Sequence, residues 1–113
     1  MDKPTSAQEV FNQVVTHLRA QGVRSVHNDG GCAYRSPGGN KCAVGCLIPD
    51  EVYHPSMEGT NVNYMLRHRP ELVHLSEYVR LLGHLQHLHD NIPSDHWEYH
   101  FPVIAKDFNL EMP

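Results

Sequence analysis

The residues best suited to chemistry lie in the first half of this 113-residue chain. Three cysteines and one histidine fall within a turn-rich stretch: His27, Cys32, Cys42 and Cys46. Thiolate sulfur and imidazole nitrogen are ligands that zinc prefers, and four of them can close a tetrahedral site. Their spacing, His-x4-Cys-x9-Cys-x3-Cys, lacks the Cys-x2-Cys knuckle of the common zinc motifs. A zinc site is therefore one hypothesis, and small buried thiols are the interpretation we favour.

A nucleophilic thiol is a second hypothesis for the same segment. A histidine could activate Cys32 or Cys46, and the amides of a nearby glycine-rich turn could stabilise an oxyanion. The chain has ten histidines, so a chance cysteine–histidine neighbour is expected and the match carries little weight. No phosphate-binding loop, dinucleotide-binding fingerprint or His-Glu-x-x-His motif occurs in the sequence.

Two polar groups farther along the chain are weaker candidates. His84 and His87 lie one helical turn apart near Asp90 and could hold a divalent metal, although plain solvent exposure is the simpler interpretation. A group suited to acid–base chemistry flanks the last interhelix turn, where helix capping explains the aspartates more simply; it comprises Asp90, Asp95, His96 and His100. His89 falls on an apolar helix face and is predicted to be a core histidine bonded to a carbonyl.

The element predicted to hold the cysteines is a small β-hairpin that follows the first helix. Ser6 and Glu9 form a capping box for a helix over residues 6–21, which Gly22 ends. Residues 23–48 are rich in turn signals and predict a hairpin. Within them, residues 41–48 are either its returning strand or a short buried helix.

The remaining chain, residues 49–113, is predicted to be helical. The longest helix spans about 70–90, and its wide apolar arc makes it the central element. Pro102 falls inside the last helix and is expected to kink or restart it. The expected fold class is α+β, mostly α, with four to five helices and the small β-hairpin in a single domain, 1–113.

Composition and charge exclude several classes of protein. The net charge of −4 argues against a general binder of nucleic-acid phosphates. No stretch approaches the roughly 18 apolar residues of a membrane span. The N-terminal residues 1–6 contain no apolar signal region, so we expect a cytoplasmic protein that does not enter the membrane. Three cysteines, an odd number, fit reduced thiols better than a disulfide framework.

One segment resembles a known group of proteins. The run from Cys32 to Glu51, CAYRSPGGNKCAVGCLIPDE, is similar to a segment of small proteins encoded by bacteriophages and bacterial genomes. A second likeness covers Leu85 to Asp90 followed by Trp97. The resemblance implies origin and cytosolic location and assigns no catalytic residue. The small residues of the first run suggest a structural signature that packs tightly against the helices.

Two classes of function follow. The first is a small intracellular phage-type accessory protein that binds a host or phage protein, for instance as an inhibitor or modulator of a host or defence enzyme. The second is a zinc-binding or Cys/His-dependent enzyme centred on Cys32, Cys42 and Cys46, with His27 as the fourth ligand. We favour the binding protein, which needs no cofactor. The wide apolar arc of the long helix also predicts self-association as a homodimer.

Overall fold

Helices dominate the computed structural model, which describes residues 3–113. The four α-helices in this range are α1 (Ala7–Gln21), α2 (Val62–His68), α3 (Val79–Asn91) and α4 (Trp97–Asp107). Shorter 3-10 helices span Gly45–Leu47, Pro55–Met57, Pro70–Tyr78 and Ser94–His96. None of the helices in the described range is both long and apolar enough to cross a membrane. The N-terminal stretch interpreted above as lacking a signal region begins with residues 1 and 2, which lie outside that range.

Helix α1 begins and ends where its capping residues predict. The Ser6 hydroxyl oxygen accepts the Glu9 amide at 3.1 Å. Gly22 ends the helix in the left-handed region at φ +72°, and its amide donates to the Leu18 carbonyl. The Glu9 carboxylate turns back to the Thr5 amide at 3.0 Å, one residue earlier than an ideal capping box. The predicted apolar face is buried and comprises Val10, Phe11, Val14, Val15 and Leu18.

The predicted β-hairpin in residues 23–48 is wrong. Among residues 3–113 there is no strand, and this segment contains only two isolated antiparallel bridges, Val26 with Cys32 and Arg35 with Lys41. The fold class is therefore helical, with one irregular segment between α1 and α2, rather than α+β. The helix count agrees with the prediction.

The hairpin fails because side chains from elsewhere take its backbone groups. The amides of Tyr34 and Arg35 donate to the two carboxylate oxygens of Glu58, at 2.9 and 3.0 Å. The Val44 amide donates to the side-chain oxygen of Gln86 on α3 at 3.1 Å. Buried backbone groups must be paired, and here the partners are side chains brought in by the fold instead of a neighbouring strand.

The second half of this segment forms a short buried 3-10 helix, Gly45–Leu47, which was one of the two alternatives for residues 41–48. A Cβ atom built on Gly45 would lie 2.0 Å from the carbonyl oxygen of Tyr34. No side chain tolerates such a contact with backbone, so only glycine fits here. The tight contact here joins two parts of the irregular segment, whereas the small residues predicted close packing against the helices.

Helix α3 is the central element, as predicted, and packs against α1, α2 and α4. It is shorter than expected, because residues 70–78 form a 3-10 helix and the backbone leaves the α-helical region at Tyr78 (φ −104°, ψ 15°). Helix α4 does not restart at Pro102 but continues through it. Pro102 is exposed, so its ring meets solvent rather than the core.

Candidate binding cleft beside Cys32 and Asp90

The C-terminal end of α3 gathers three side chains of the kind that bind metals. Cys32, His89 and Asp90 are the one group in residues 3–113 with at least three ligand atoms all within 4.8 Å of one another. His89 and Asp90 are neighbours on α3, while Cys32 comes from the irregular segment that precedes α2. Of these three residues, only Cys32 is one of the four zinc ligands predicted from the sequence.

His89 is fully buried, and both of its ring nitrogens are occupied. The Ser25 amide donates to Nε2 at 2.9 Å. Because an amide N–H can only donate, Nε2 carries no proton, and the proton lies on Nδ1. Nδ1 donates to Oδ1 of Asp90 at 2.8 Å. The predicted core histidine is confirmed, with an amide and a carboxylate as its partners instead of a carbonyl.

Asp90 is the shared acceptor of this cluster. Besides His89, the Gln86 side-chain amide donates to Oδ1 at 2.9 Å, and the thiol of Cys32 hydrogen-bonds to the carboxylate. Partial burial by itself raises the pKa of Asp90, but the hydrogen bonds from these three donors outweigh it and hold that pKa below its usual value. The carboxylate therefore stays ionised at neutral pH.

Cys32 is exposed but is a weak nucleophile at neutral pH. Partial burial, the hydrogen bond to Asp90 and the charge of that carboxylate raise the pKa of the Cys32 thiol to about 11, against a smaller opposing effect of Arg24. About one thiol in 10,000 is then ionised at pH 7. A thiol nucleophile needs a lowered pKa or a free base beside it. His89 cannot serve as that base, because the lone pair on Nε2 accepts the Ser25 amide.

The same hydrogen bonds speak against a metal at this cluster. For Nδ1 of His89 to bind a metal, its proton would have to move to Nε2, where it would face the Ser25 N–H across 2.9 Å. Without His89 the cluster offers only Cys32 and Asp90. Catalytic zinc sites use three protein ligands and structural ones use four. The donor set at this cluster therefore does not fit zinc.

The other predicted zinc ligands, His27, Cys42 and Cys46, form no compact ligand group with one another or with Cys32 in residues 3–113. His27 faces Glu58, with Nε2 3.3 Å from a carboxylate oxygen. Cys42 is fully buried, and burial raises its pKa to about 12. The partly buried Cys46 donates its thiol to the Ala43 carbonyl at 3.1 Å, and burial also raises its pKa to about 12. None of the three joins the cluster around Asp90 in the described residues.

The weaker histidine candidates stay at the surface. His84 and His87 are both exposed, as the simpler interpretation predicted. Asp95 and His96 form an exposed pair 4.0 Å apart, next to the start of α4. Neither pair belongs to a ligand group in residues 3–113, and Asp90 instead binds Cys32, Gln86 and His89.

A groove runs along the exposed side of α3 next to the cluster. Its first part is a cleft of about 320 Å³ between α3 and residues 59–62, with Cys32 and Asp90 in its wall. Its second part, of about 450 Å³, lies between Asn63 on α2 and the α3 residues Val79, Arg80 and His84. Gly83 and His87 line both parts, so we treat them as one feature, the α3 groove.

Gly83 lies at the junction of the two parts. A Cβ atom built there would meet nothing within 4 Å, and the glycine is exposed in the middle of a helix. The sequence indicates that a helix glycine can admit a second backbone. The sequence contains no pattern that places Gln86 and Asp90 next to Cys32, because these residues lie far apart in the chain.

The two segments singled out in the sequence, residues 32–51 and 85–90, meet at this site. Cys32 and Val44 belong to the first segment, and Gln86 and Asp90 belong to the second. Two hydrogen bonds join these segments: the Cys32 thiol bonds to Asp90, and the Val44 amide donates to Gln86. Comparison with known proteins gave no matching protein family, no similar curated protein and no similar solved structure.

Proposed function

We propose that this chain is a small intracellular accessory protein of the phage type. It acts by binding another protein, supplied by a phage or by its bacterial host, through the α3 groove. We propose that this binding inhibits or modulates a host or defence enzyme. A cytoplasmic location is part of the same proposal, as is the absence of any role for a cofactor.

The observation that carries the proposal is the bonding of His89. A general base needs a free lone pair, and a metal ligand needs an unprotonated nitrogen directed at the metal. His89 has neither, since Nε2 accepts the Ser25 amide and Nδ1 donates to Asp90. Every group of the cluster that could do chemistry is thus bonded to another part of the chain, which supports a structural role for the cluster.

The groove beside the cluster supports binding. A glycine in the middle of a helix costs about 1 kcal/mol relative to alanine. In the described part of the chain nothing packs over Gly83. A partner segment lying on α3 can approach the helix backbone closely here, because glycine has no Cβ. The net charge of −4 favours a protein partner over nucleic acid.

Site-specific photocrosslinking in bacterial cells tests the proposal. A photoreactive residue at Asn63, in the groove, is compared with one at Val73, which is 64% exposed and lies outside it. We expect a discrete adduct from position 63, none from position 73, and loss of the adduct when Gly83→Leu fills the groove. Equal adducts from both positions, or none from position 63, would overturn the proposal.

The metal alternative has its own test. Stoichiometric zinc that survives mild chelation and is lost in Cys42→Ser would favour the zinc-binding alternative centred on Cys32, Cys42 and Cys46 over the proposal above. We expect instead a folded protein without stoichiometric zinc, because the three thiols form no compact ligand group in residues 3–113.

A further inference from the structure

Charge is distributed unevenly along the α3 groove. At one end, the first part of the groove is lined by the carboxylate of Asp90. At the other end, the second part is lined by Arg80 with His84 and His87, and no carboxylate is among its lining residues. With a rise of about 1.5 Å per residue, the backbones of residues 80 and 90 lie about 15 Å apart along α3.

Arg80 packs on an aromatic ring and forms no salt bridge within residues 3–113. Its guanidinium carbon lies 5.9 Å from the centre of the Phe108 ring, and His84 packs edge-on against the same ring at 5.0 Å. No carboxylate of residues 3–113 forms a salt bridge with Arg80, unlike Arg19, which binds Glu98 at 2.8 Å. A positioned, unpaired guanidinium is well suited to bind a carboxylate.

The neighbouring imidazoles offer further polar atoms to a ligand. Nδ1 of His84 bonds to the Arg80 carbonyl at 2.8 Å, which leaves its Nε2 free of that bond. The Asn91 amide donates to Nδ1 of His87 at 3.1 Å, so the ring proton of His87 lies on Nε2 and can be donated. Arg80 and His87 thus both present N–H donors along the groove.

We propose that the α3 groove binds an extended peptide segment of the partner protein that sets an aspartate or glutamate side chain against Arg80. This inference rests on the proposed binding function. An extended chain advances about 3.3 Å per residue, so about five residues span the groove. At the far end Asp90 repels a second acidic side chain, which makes the recognised segment acidic at one end only and sets its direction.

Selection from a displayed library of random heptapeptides, carried out on the intact wild-type chain, provides the probe. We expect the enriched peptides to carry an acidic residue near one end and none near the other. Arg80→Glu should weaken their binding about tenfold or more. Arg67→Glu changes the net charge equally at an exposed position of α2 outside the groove, and it should change binding less than twofold.

A charge reversal could disturb the packing on Phe108, so Arg80→Gln is the second variant. The glutamine side chain keeps much of the length of arginine but carries no charge. This variant should bind the selected peptides several-fold more weakly, while its thermal unfolding midpoint stays within a few degrees of wild type. Peptides without an acidic preference, or equal losses in the Arg80 and Arg67 variants, overturn the inference. A single-stranded oligonucleotide that binds with the same dependence on Arg80 would also overturn it, in favour of a nucleic-acid ligand.

The failure of this inference can be separated from failure of the proposed function. If the adduct from position 63 persists unchanged in Arg80→Glu, the charge-based recognition is wrong and the binding function stands. If wild type gives no adduct from position 63, the binding function itself fails, whatever the peptide library yields.

Discussion

Replacing Asp90 with alanine removes the acceptor that joins α3 to the cysteine segment. In wild type the carboxylate accepts Nδ1 of His89 at 2.8 Å, the Gln86 amide at 2.9 Å and the Cys32 thiol. Alanine leaves all three donors without this partner. We therefore expect a large loss of stability from a residue that contributes little to the apolar core.

The size of the loss follows from the burial of each donor. His89 is fully buried, and an unpaired buried donor costs about 1–3 kcal/mol. Gln86 is partly buried and can turn toward water, which adds about 1 kcal/mol. Cys32 is exposed and adds little. Together these losses amount to about 3 kcal/mol, or a fall of roughly 12 °C in Tm for a chain of this size.

Urea unfolding followed by Trp97 fluorescence measures this loss. Trp97 is the single tryptophan of the chain, and its ring stacks on His89 with a centroid distance of 5.8 Å, so its emission reports on this region. The variant should also change the dependence of stability on pH. Because folding lowers the pKa of Asp90, its ionised form stabilises the protein above the unfolded carboxyl pKa. That contribution is lost as the pH falls through the folded pKa, below about pH 4.

Asp90→Asn is the matched control. The asparagine side-chain oxygen can still accept hydrogen bonds from His89 and Gln86, but these bonds are weaker because the acceptor is no longer charged. Asp90→Asn should therefore lose about half as much stability as Asp90→Ala. The reasoning is refuted if Asp90→Ala costs less than about 0.5 kcal/mol, or if acidification lowers the stability of both variants by as much as it lowers that of wild type.

The remaining predictions concern two glycines, one thiol, metal content and assembly. Gly45→Ala should cost about 3 kcal/mol or prevent folding, because the new Cβ meets a backbone oxygen at 2.0 Å, whereas Gly83→Ala should stabilise by about 1 kcal/mol; a higher Tm for Gly45→Ala would contradict the first prediction, and a lower Tm for Gly83→Ala the second. Alkylation of Cys32 by iodoacetamide at pH 7 should be about 100-fold slower than for an ordinary exposed cysteine and should accelerate in Asp90→Asn, as mass spectrometry can measure; an ordinary rate refutes the high pKa. Elemental analysis after mild chelation should find well under one zinc per chain, with no change in Cys42→Ser. The apolar arc that predicted a homodimer is buried within the chain, including Leu81, Leu82, Leu85 and Leu88, so light scattering after size exclusion should give the mass of one chain, and twice that mass would contradict this expectation.

Features set by neighbours along the chain were predictable from the sequence. The ends of α1 depend on Ser6, Glu9 and Gly22, each within one turn of the groups it binds, so their spacing alone predicts the cap. The burial of His89 likewise follows from its place among the leucines of a helix face. The capping groups of α1 lie three or four residues apart, and helix geometry brings them together.

The irregular segment and the cluster around Asp90 depended on contacts between residues distant in the chain. Glu58 takes the amides of Tyr34 and Arg35 that a hairpin would have used, and only packing brings that carboxylate to them. Ten histidines and three cysteines allow many pairings, and their spacing does not show that Cys32 meets Asp90 while Cys42 stays in the core. Which cysteine meets Asp90, and which amides bind Glu58, depends on the polar groups that helix packing buries. Buried polar groups must be hydrogen-bonded, so each pairs with a group that the fold places nearby.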